Sequence, residues 1–388
     1  MRFKPVGKTR NLGIIMRDWD CISQVWLHRS IECLEDHIAF IASFKANDQW
    51  NEEIPGFNLT GPKFTLKERI RYKFQGPPDN IDRLRRYIKK SRVDKLLIHF
   101  ADMALITLEA WLDLDVEVFV YCHGYDIHFD ARNDTWPYAS RHPHDYAERV
   151  FRLSDRVTFF ANSQHTQNKL QAIGVPAENI QLIYYGVELP EQLPEYPIKA
   201  KDELLNLLFL GRLVDFKGPD LVIKSFEQAC KQGLNAKLTI AGDGNLMPMC
   251  QLLVYESPYG DRIQFVGPVD RQRAAKLFAE ADIFVNHQRL GPLSNREEAF
   301  GVTMLEAMSR GLPVLTTRSG GIEESVIDGE TGFLVETGSL SAFVDRLLAL
   351  AGSPETRKQF AQNGRRHIKK NFPLERQASQ LLSSLKLV

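Results

Sequence analysis

Short β-rich runs alternate with helical patterns along almost the whole chain, and this alternation limits the possible folds more than any other feature. The predicted strands of the first half are Leu12–Met16, His37–Ala42, Lys95–His99, Val116–Tyr121, Val157–Ala161 and Gln181–Tyr184. Those of the second half are Leu207–Leu210, Lys237–Ala241, Ile263–Val266, Ile283–Asn286, Pro313–Thr316 and Gly332–Val335. Strands separated by helices form parallel sheets with helices packed on their faces. The sequence therefore predicts an α/β fold.

A proline-rich segment separates the two halves. Three prolines stand between Leu189 and Pro197, which is the composition of a linker. We therefore predict two Rossmann-like, doubly wound domains, at residues 1–188 and 189–371, that face a common cleft. Ligands of such sheets bind beyond the carboxyl ends of the strands, so the functional site is expected in that cleft.

Charge and cysteine content exclude several classes of protein. The formal net charge is 0, so nothing global indicates binding to nucleic acid. None of the five cysteines forms a C-x-x-C pair, so neither a disulfide framework nor a zinc site is indicated. No run reaches the roughly 18 apolar residues of a membrane span. We expect a reduced, cytoplasmic protein.

Two carboxylates stand eight residues apart in the segment Glu298-Ala-Phe-Gly-Val-Thr-Met-Leu-Glu306. A turn and the start of a helix are predicted between them, and the amides of Phe300–Val302 would favour an anion such as a diphosphate. The flanking carboxylates can accept hydrogen bonds from sugar hydroxyls. The segment predicts a nucleotide-sugar site; alternatively, Thr303-x-x-Glu306 fits a capping box that only satisfies backbone donors.

Two cations follow the predicted strand Leu207–Leu210. Arg212 and Lys217 lie just past its end, and Gly211 and Gly218 permit tight turns beside them. A pyrophosphate carries about two negative charges, which a guanidinium and an ammonium group match. We predict a diphosphate-binding turn; the alternative is a solvated turn with two surface cations.

Other turns of the second half complete the predicted wall of the cleft. Ala241-Gly-Asp-Gly244 lacks the third glycine of a nicotinamide-binding fingerprint, so that function is rejected. The backbone of Val266 and Pro268 could contact a nucleobase edge, or form an ordinary strand-to-helix turn. Gly320-Gly321 follows another strand and is predicted to support the cleft wall.

His123 follows the predicted strand Val116–Tyr121, so it would face the cleft from the first half. Its imidazole can bond a sugar hydroxyl or stabilise charge near a reacting carbon, and Asp126 would orient the ring. The alternative is a histidine whose hydrogen bonds are satisfied within a turn.

Residues 63–95 form a locally basic segment, with twelve Lys or Arg and four Asp or Glu. Within it, Ile81, Leu84 and Ile88 recur at helical spacing. A basic amphipathic segment can lie on an anionic membrane face. The alternative is a helix packed on the sheet, with its charged side in water.

The motifs together resemble those of retaining glycosyltransferase family 4, whose members have the two-Rossmann GT-B fold. In the second half the similarity covers Gly-Arg-x4-Lys-Gly, Gly-Asp-Gly, Glu-x7-Glu and Gly-Gly-Ile-x-Glu-x-Val-x-Asp-Gly-x-x-Gly. In the first half it covers His123-Gly-x-Asp126, Asn162-Ser163 and Tyr184-Tyr-Gly-Val-Glu188. The chain is most similar to members that build bacterial exopolysaccharide. The resemblance also implies that residues 372–388 form a helix that returns to the first domain.

The resemblance implies a role for each matching residue. Arg212 and Lys217 would bind the donor diphosphate. Glu298 would hold the hydroxyls of the transferred sugar, with backbone amides nearby, and Glu306 would bind the ribose. His123 would face the reacting sugar.

Two regions depart from the family pattern, and we expect them to shape the choice of donor sugar or acceptor. The stretch His287–Glu297 is longer than usual. The first loop reads Ser23-Gln-Val-Trp-Leu27 in place of Ser-Glu-Thr-Phe-Ile. The predicted acceptor region therefore includes Ser23, Trp26 and Asp126.

We expect retaining transfer of a hexose to a growing, lipid-linked exopolysaccharide, from UDP-glucose as the commonest donor among similar transferases. No side chain is evidently placed as a covalent nucleophile, so the departing diphosphate is expected to help deprotonate the acceptor. The triplets Asp18-Trp-Asp20 and Asp113-Leu-Asp115 are of a kind that binds metal in some sugar transferases, but we interpret both as solvated loops. No metal or cofactor is therefore expected.

Three alternatives remain open for the partners and the activity. The basic segment 63–95 is expected to contact the anionic inner face of the membrane, or to lie on the sheet as an ordinary helix. A nucleotide-sugar epimerase or hydrolase could use the same fold. A non-catalytic subunit could bind nucleotide sugars without turnover.

Overall fold

Two parallel β-sheets organise the chain. The structure is a computed structural model that describes residues 10–18, 25–44, 54–59, 80–127, 145–190, 199–200 and 202–388. Within the described residues no helix is long and apolar enough to cross a membrane.

The first sheet has seven strands, in the order β3-β2-β1-β4-β5-β6-β7. Their bounds are β1 Leu12–Ile15, β2 Ile38–Ser43, β3 Gly56–Asn58, β4 Lys95–His99, β5 Glu117–Cys122, β6 Val157–Ala161 and β7 Ile180–Leu182. The central strands are buried on both faces because helices cover the sheet on each side. The helices are α1 Val25–Glu32, α2 Asn80–Ser91, α3 Ala101–Ile106, α4 Leu108–Trp111, α5 Tyr146–Leu153 and α6 Gln164–Ala172.

The second sheet has six strands, in the order β10-β9-β8-β11-β12-β13. Its strands are β8 Leu205–Leu210, β9 Ala236–Ala241, β10 Ile263–Gly267, β11 Ile283–Val285, β12 Val314–Thr317 and β13 Gly332–Val335. Its helices are α7 Pro219–Lys231, α8 Met247–Glu256, α9 Arg271–Glu280, α10 Val302–Ser309, α11 Ile322–Ser325, α12 Leu340–Gly352 and α13 Pro354–Asn371, and the last helix of the chain is α14 Leu374–Ser384.

Both sheets reverse their strand order at one point, between β1 and β4 in the first and between β8 and β11 in the second. At such a point the two neighbouring connections leave toward opposite faces, which opens a crevice at the carboxyl ends of the strands. The predicted α/β architecture of two doubly wound domains is thus confirmed. It also fixes where a ligand would be held, since the two crevices lie in the same cleft.

The predicted strands differ from the observed ones mainly at their ends. The strand β3 was not predicted, because Gly-Phe-Asn carries no β-branched residue and no alternating pattern. The predicted linker 189–197 lies almost wholly outside the described residues.

The two halves share an apolar core at their junction. Phe300, which is 1% exposed, lies with ring centroids 5.3 Å from Tyr184 and 5.5 Å from Phe372. The helix α14 returns to the first domain, where Gln377 accepts a hydrogen bond from the Gly186 amide and donates one to Ser30, each at 2.8 Å. These contacts join the two domains that form the walls of the cleft.

Candidate active site

The cleft between the two sheets has a volume of about 1070 Å³. Twelve of the predicted site residues line it: Trp26, His123, Gly211, Arg212, Lys217, Pro268, Glu298, Ala299, Phe300, Gly301, Val302 and Glu306. Val266 packs on the apolar core instead, Asp126 is fully buried, and Ser23 lies outside the described residues. One cleft thus brings together residues that are far apart in the sequence.

Lys217 reaches the cleft from a short 3-10 turn, Asp215–Lys217, that follows β8. Its ammonium group forms an ion pair with Glu298, and both side chains are largely buried. The turn is held by the carboxylate of Asp215, which accepts hydrogen bonds from the amides of Leu293 and Ser294 at 2.7 Å. The long stretch 287–297 therefore fixes the turn that carries Lys217.

The turn after Glu298 leads directly into α10, whose first residue is Val302. Gly301 precedes the helix in the left-handed conformation, with φ 84°. Gly301, Val302 and Thr303 at this helix start line the cleft, and the first N–H groups of a helix favour an anion. The alternative capping box is wrong, because Thr303 lies inside the helix and Glu306 instead accepts a hydrogen bond from Arg29 at 2.7 Å.

The glycine pair 320–321 supports this turn, as predicted. A Cβ atom on Gly320 would lie 1.7 Å from the carbonyl oxygen of Glu298, and one on Gly321 would lie 2.2 Å from that of Ala299. The backbone at Glu298 therefore packs against Gly320 and Gly321, two positions where no side chain fits.

His123 enters the cleft from the end of β5, and its ring is held on both nitrogens. Nδ1 is hydrogen-bonded to the hydroxyl of Tyr185, and Nε2 lies 2.9 Å from Nδ1 of His99. The ring of Trp26 packs on it at a centroid distance of 4.4 Å. A sugar hydroxyl that bonds either nitrogen must displace a protein partner. The ring is thus satisfied, as the alternative expected, but by His99 and Tyr185 and not within its own turn.

The prediction that Asp126 orients the His123 ring is wrong. The carboxylate of Asp126 accepts hydrogen bonds from the backbone amides of Ala101, His123 and Gly124, at 3.0, 3.1 and 2.9 Å. The Asp126 carboxylate therefore stabilises the turn after β5, and the His123 ring is held by Tyr185 and His99.

The imidazole rings of His99 and His123 are both neutral at ordinary pH. Burial lowers the pKa of His99 to about 3. Burial also lowers the pKa of His123 well below its usual value, and the neighbouring His99 acts in the same direction. His123 thus offers the cleft a polar neutral ring and no positive charge.

A group of polar residues that the sequence did not single out lines the first-domain side of the cleft. Asp102 pairs with Arg17 and accepts a hydrogen bond from the hydroxyl of Tyr125 at 3.1 Å. The guanidinium carbons of Arg17 and Arg296 lie 5.4 and 5.3 Å from the centre of the Tyr125 ring. Arg296 belongs to the long stretch 287–297, so that stretch reaches the predicted acceptor side. Arg17 could have been found from its position after β1, at the switch point.

Carboxylates of the second domain also contact the first domain beside the cleft. Glu297 accepts from His165 at 2.9 Å and from Lys169 at 2.6 Å. Glu324 accepts from the amides of Gln164 and His165 at 2.7 and 2.9 Å, so it caps the start of α6 across the domain boundary. These contacts require the assembled cleft, so no local sequence pattern signals them.

The contact at Glu297 predicts an acid-sensitive link between the domains. Burial by itself would raise the pKa of the Glu297 carboxyl, but hydrogen bonds from His165 and Lys169 outweigh it and bring the pKa to about 2, from an ordinary 4.5. A carboxyl with a depressed pKa in the folded state stabilises the fold above its unfolded pKa and loses that contribution as the pH falls toward the folded value. The contribution should therefore fade between about pH 4.5 and pH 2.

Urea unfolding of the wild type and of Glu297→Gln at several pH values measures this contribution. We expect the variant to be less stable at pH 7 and the difference in free energy of unfolding to shrink as the pH falls. Glu148→Gln, at an exposed glutamate on α5, is the matched control and should change little. A difference for Glu297→Gln that stays constant with pH contradicts the assignment.

The chain matches two families of known proteins. Residues 38–191 match Glycosyltransferase Family 4, and residues 191–367 match Glycosyl transferases group 1. Together the two matches cover most of both sheets and the whole lining of the second-domain wall.

Individual curated proteins match the chain at moderate sequence identity. The chain is 31% identical over 271 residues to the amylovoran biosynthesis glycosyltransferase AmsK of Erwinia amylovora, covering 68% of this chain and 62% of that protein. It is 28% identical over 235 residues to the N-acetyl-α-D-glucosaminyl L-malate synthase of Bacillus anthracis, covering 58% of each. The chain thus spans about three fifths of the length of these curated relatives.

The fold has close counterparts among solved structures. HepE of Anabaena, crystallised in complex with UDP and glucose, superposes with a TM-score of 0.75 at 16% identity, over 97% of this chain and 100% of that one. A likeness at this level of identity concerns the fold.

Proposed function

The chain belongs to the glycosyltransferases that join a Family 4 domain to a group 1 domain in the GT-B fold, and we propose that it transfers a hexose from a nucleotide diphosphate, with retention of configuration, to a growing polysaccharide. The observation that carries the proposal is the pairing of Lys217 with Glu298 beside the start of α10. A cation, a carboxylate and a helix start within one cleft match the diphosphate and the sugar of such a donor.

The donor diphosphate would lie along Arg212, Lys217 and the first amides of α10. Arg212 lines the cleft, and its guanidinium carbon lies 5.6 Å from the centre of the ring of Phe216, the residue before Lys217. Glu298 would accept hydrogen bonds from the transferred sugar, and Glu306 from the ribose. We propose UDP-glucose as the donor, and the complexes of HepE with UDP and glucose support that choice.

The leaving diphosphate would take most of the charge that develops during transfer. Fixed positive groups that face developing charge usually contribute the largest catalytic term, because they need no reorganisation during the reaction. The carboxylates Glu298, Glu297 and Asp102 are each paired with a cation of the protein. We therefore propose that the leaving diphosphate, and no protein carboxylate, helps to deprotonate the acceptor on the same face of the sugar.

The charge on the diphosphate is then balanced by protein groups, so we propose that no metal or cofactor takes part. Transfer should proceed at the same rate in buffer with and without EDTA. Adding back Mg²⁺ or Mn²⁺ to the dialysed protein is the control and should give no increase. Strong inhibition by EDTA, reversed by either ion, would instead revive Asp18 and Asp20 as ligands.

The acceptor is proposed to be lipid-linked, and the protein to touch the anionic inner face of the membrane. The described part of the basic segment includes α2, which buries Leu84 and Ile88 and turns Arg86, Lys89 and Lys90 to the outside. That outer face supplies the positive charge that a peripheral contact needs. The rest of the segment up to residue 79 lies outside the described residues.

Binding and turnover with a panel of nucleotide sugars tests the proposed function. We expect one donor to bind far more tightly than the others, and its sugar to appear on an added glycan acceptor with its anomeric configuration kept, as read by NMR. Conversion of the donor without acceptor would indicate an epimerase or hydrolase. Binding without any turnover would indicate a nucleotide-sugar-binding subunit.

A further inference from the structure

Arg29 is a buried cation that no sequence motif predicts. It lies on α1 of the first domain and is 2% exposed, yet it lines the cleft. Its Nη2 donates to Oε1 of Glu306, on α10 of the second domain, at 2.7 Å. The pair therefore crosses the cleft at the end where the ribose of the donor is proposed to bind.

The guanidinium of Arg29 is only partly satisfied. Among the described residues, neither its Nε nor its Nη1 has a hydrogen-bond partner, although both atoms are buried. Buried N–H groups without partners are rare, and those on a charged group cost more than those on a neutral one. A guanidinium presents five N–H donors in a planar fork, and such a fork matches the oxygens of a phosphate once its present partner is released.

The surroundings of Glu306 carry more positive than negative charge. Burial lowers the pKa of Arg310; the carboxylate of Glu306 opposes the shift, and Arg29 and Arg271 add to it. Arg271 is in turn paired with Glu188. Three guanidinium groups thus share two carboxylates, and an anion would restore the balance.

The same end of the cleft has an apolar wall. Phe278, Ala274, Val269 and Pro268 line it, and the guanidinium carbon of Arg310 lies 5.0 Å from the Phe278 ring centre. An apolar wall beside a cluster of arginines fits a nucleobase and its phosphates, whereas a bare inorganic ion would need no such wall.

We propose that Arg29 binds a phosphate of the nucleoside diphosphate, so that the donor is held by both domains. This assignment rests on the proposed function and extends it to a residue of the first domain. In the complex Arg29 exchanges Glu306 for a phosphate oxygen, and Glu306 turns to the ribose hydroxyls. The ion pair seen here then holds both groups in place until the donor replaces it.

Calorimetric binding of UDP, GDP and ADP, each beside its nucleoside, tests the assignment. Arg29→Met removes the charge and keeps most of the side-chain length. We expect it to weaken binding of the preferred diphosphate about tenfold to a hundredfold, and to change binding of the nucleoside less than about twofold. Arg29→Lys, which keeps the charge without the fork, should fall between. Arg152→Met, at an exposed arginine of the same domain, is the matched control.

A second variant separates phosphate binding from a purely structural role. If Arg29 served only as the partner of Glu306, then Arg29→Met would have no further effect in a Glu306→Gln background. We expect the loss of diphosphate affinity to persist in that background. Breaking the buried pair lowers the melting temperature of both variants, so circular dichroism must show that each is folded at the temperature of the binding measurement.

Four results would overturn the assignment. The first is equal binding of the diphosphate by wild type and Arg29→Met, and the second is an equal loss for diphosphate and nucleoside. The third is a loss that disappears in the Glu306→Gln background. In these three cases the wild type still binds the diphosphate, so the proposed function stands. A wild type that binds none of the three diphosphates contradicts the proposed function and this assignment together.

Discussion

Replacing Lys217 by alanine is expected to lower kcat/KM for transfer by about a thousandfold, while the protein stays folded. The loss follows from removing a buried ammonium group that faces the charge developing on the leaving diphosphate, an effect of about 10²–10³ for a single fixed donor. The fold is expected to survive because Lys217 lies in a short turn whose backbone is held by the carboxylate of Asp215.

The matched control is Lys224→Ala, at an exposed lysine on the helix that follows the same turn. It should leave both transfer and thermal unfolding close to wild type. Circular dichroism and a melting curve accompany each kinetic measurement. Turnover of Lys217→Ala within about threefold of wild type removes Lys217 from the diphosphate site.

Gly320→Ala is expected to disrupt both stability and transfer. Gly320 has φ 59°, a conformation that costs a residue with a Cβ about 1–2 kcal/mol. In addition, the new Cβ would lie 1.7 Å from the carbonyl oxygen of Glu298, a contact that only movement of the backbone relieves. Glu298 must then shift within the cleft, so we expect at least about a tenfold loss of kcat/KM and a total loss of stability near 3 kcal/mol.

Gly338→Ala separates the two contributions. Gly338 has φ 78°, and a Cβ there would meet nothing within 4 Å. We therefore expect Gly338→Ala to lose about 1 kcal/mol of stability through the backbone conformation alone, and to leave transfer unchanged. Urea unfolding and steady-state kinetics of the two variants give the comparison. Equal effects on transfer would mean that the position of Glu298 does not depend on Gly320.

The strands and the order of the domains could be predicted because short stretches of the sequence carry their patterns. Runs such as Lys95–His99 and Val157–Ala161 are apolar and bounded by turns, and parallel sheets bury such runs on both faces. The strand β3 was missed because three residues with glycine and asparagine carry no pattern. The helix start was predicted near Phe300–Val302, and the helix begins at Val302.

The site was less predictable where its contacts cross between domains. Thr303-x-x-Glu306 has the sequence of a capping box, which would start the helix at Met304. The helix begins two residues earlier, at Val302, and Glu306 accepts a hydrogen bond from Arg29. Asp126 lies close to His123 in sequence, yet its oxygens are taken by backbone amides. The partners of a buried carboxylate are the donors that the fold brings close to it, and neighbours in sequence need not be among them.

A structure of the protein with bound UDP tests the central claim most directly, that the cleft between the two sheets is a nucleoside diphosphate site. We expect the two phosphates against Arg212, Lys217 and the start of α10, and the ribose hydroxyls on Glu306. UDP bound outside the cleft, away from Lys217 and Glu306, would contradict it.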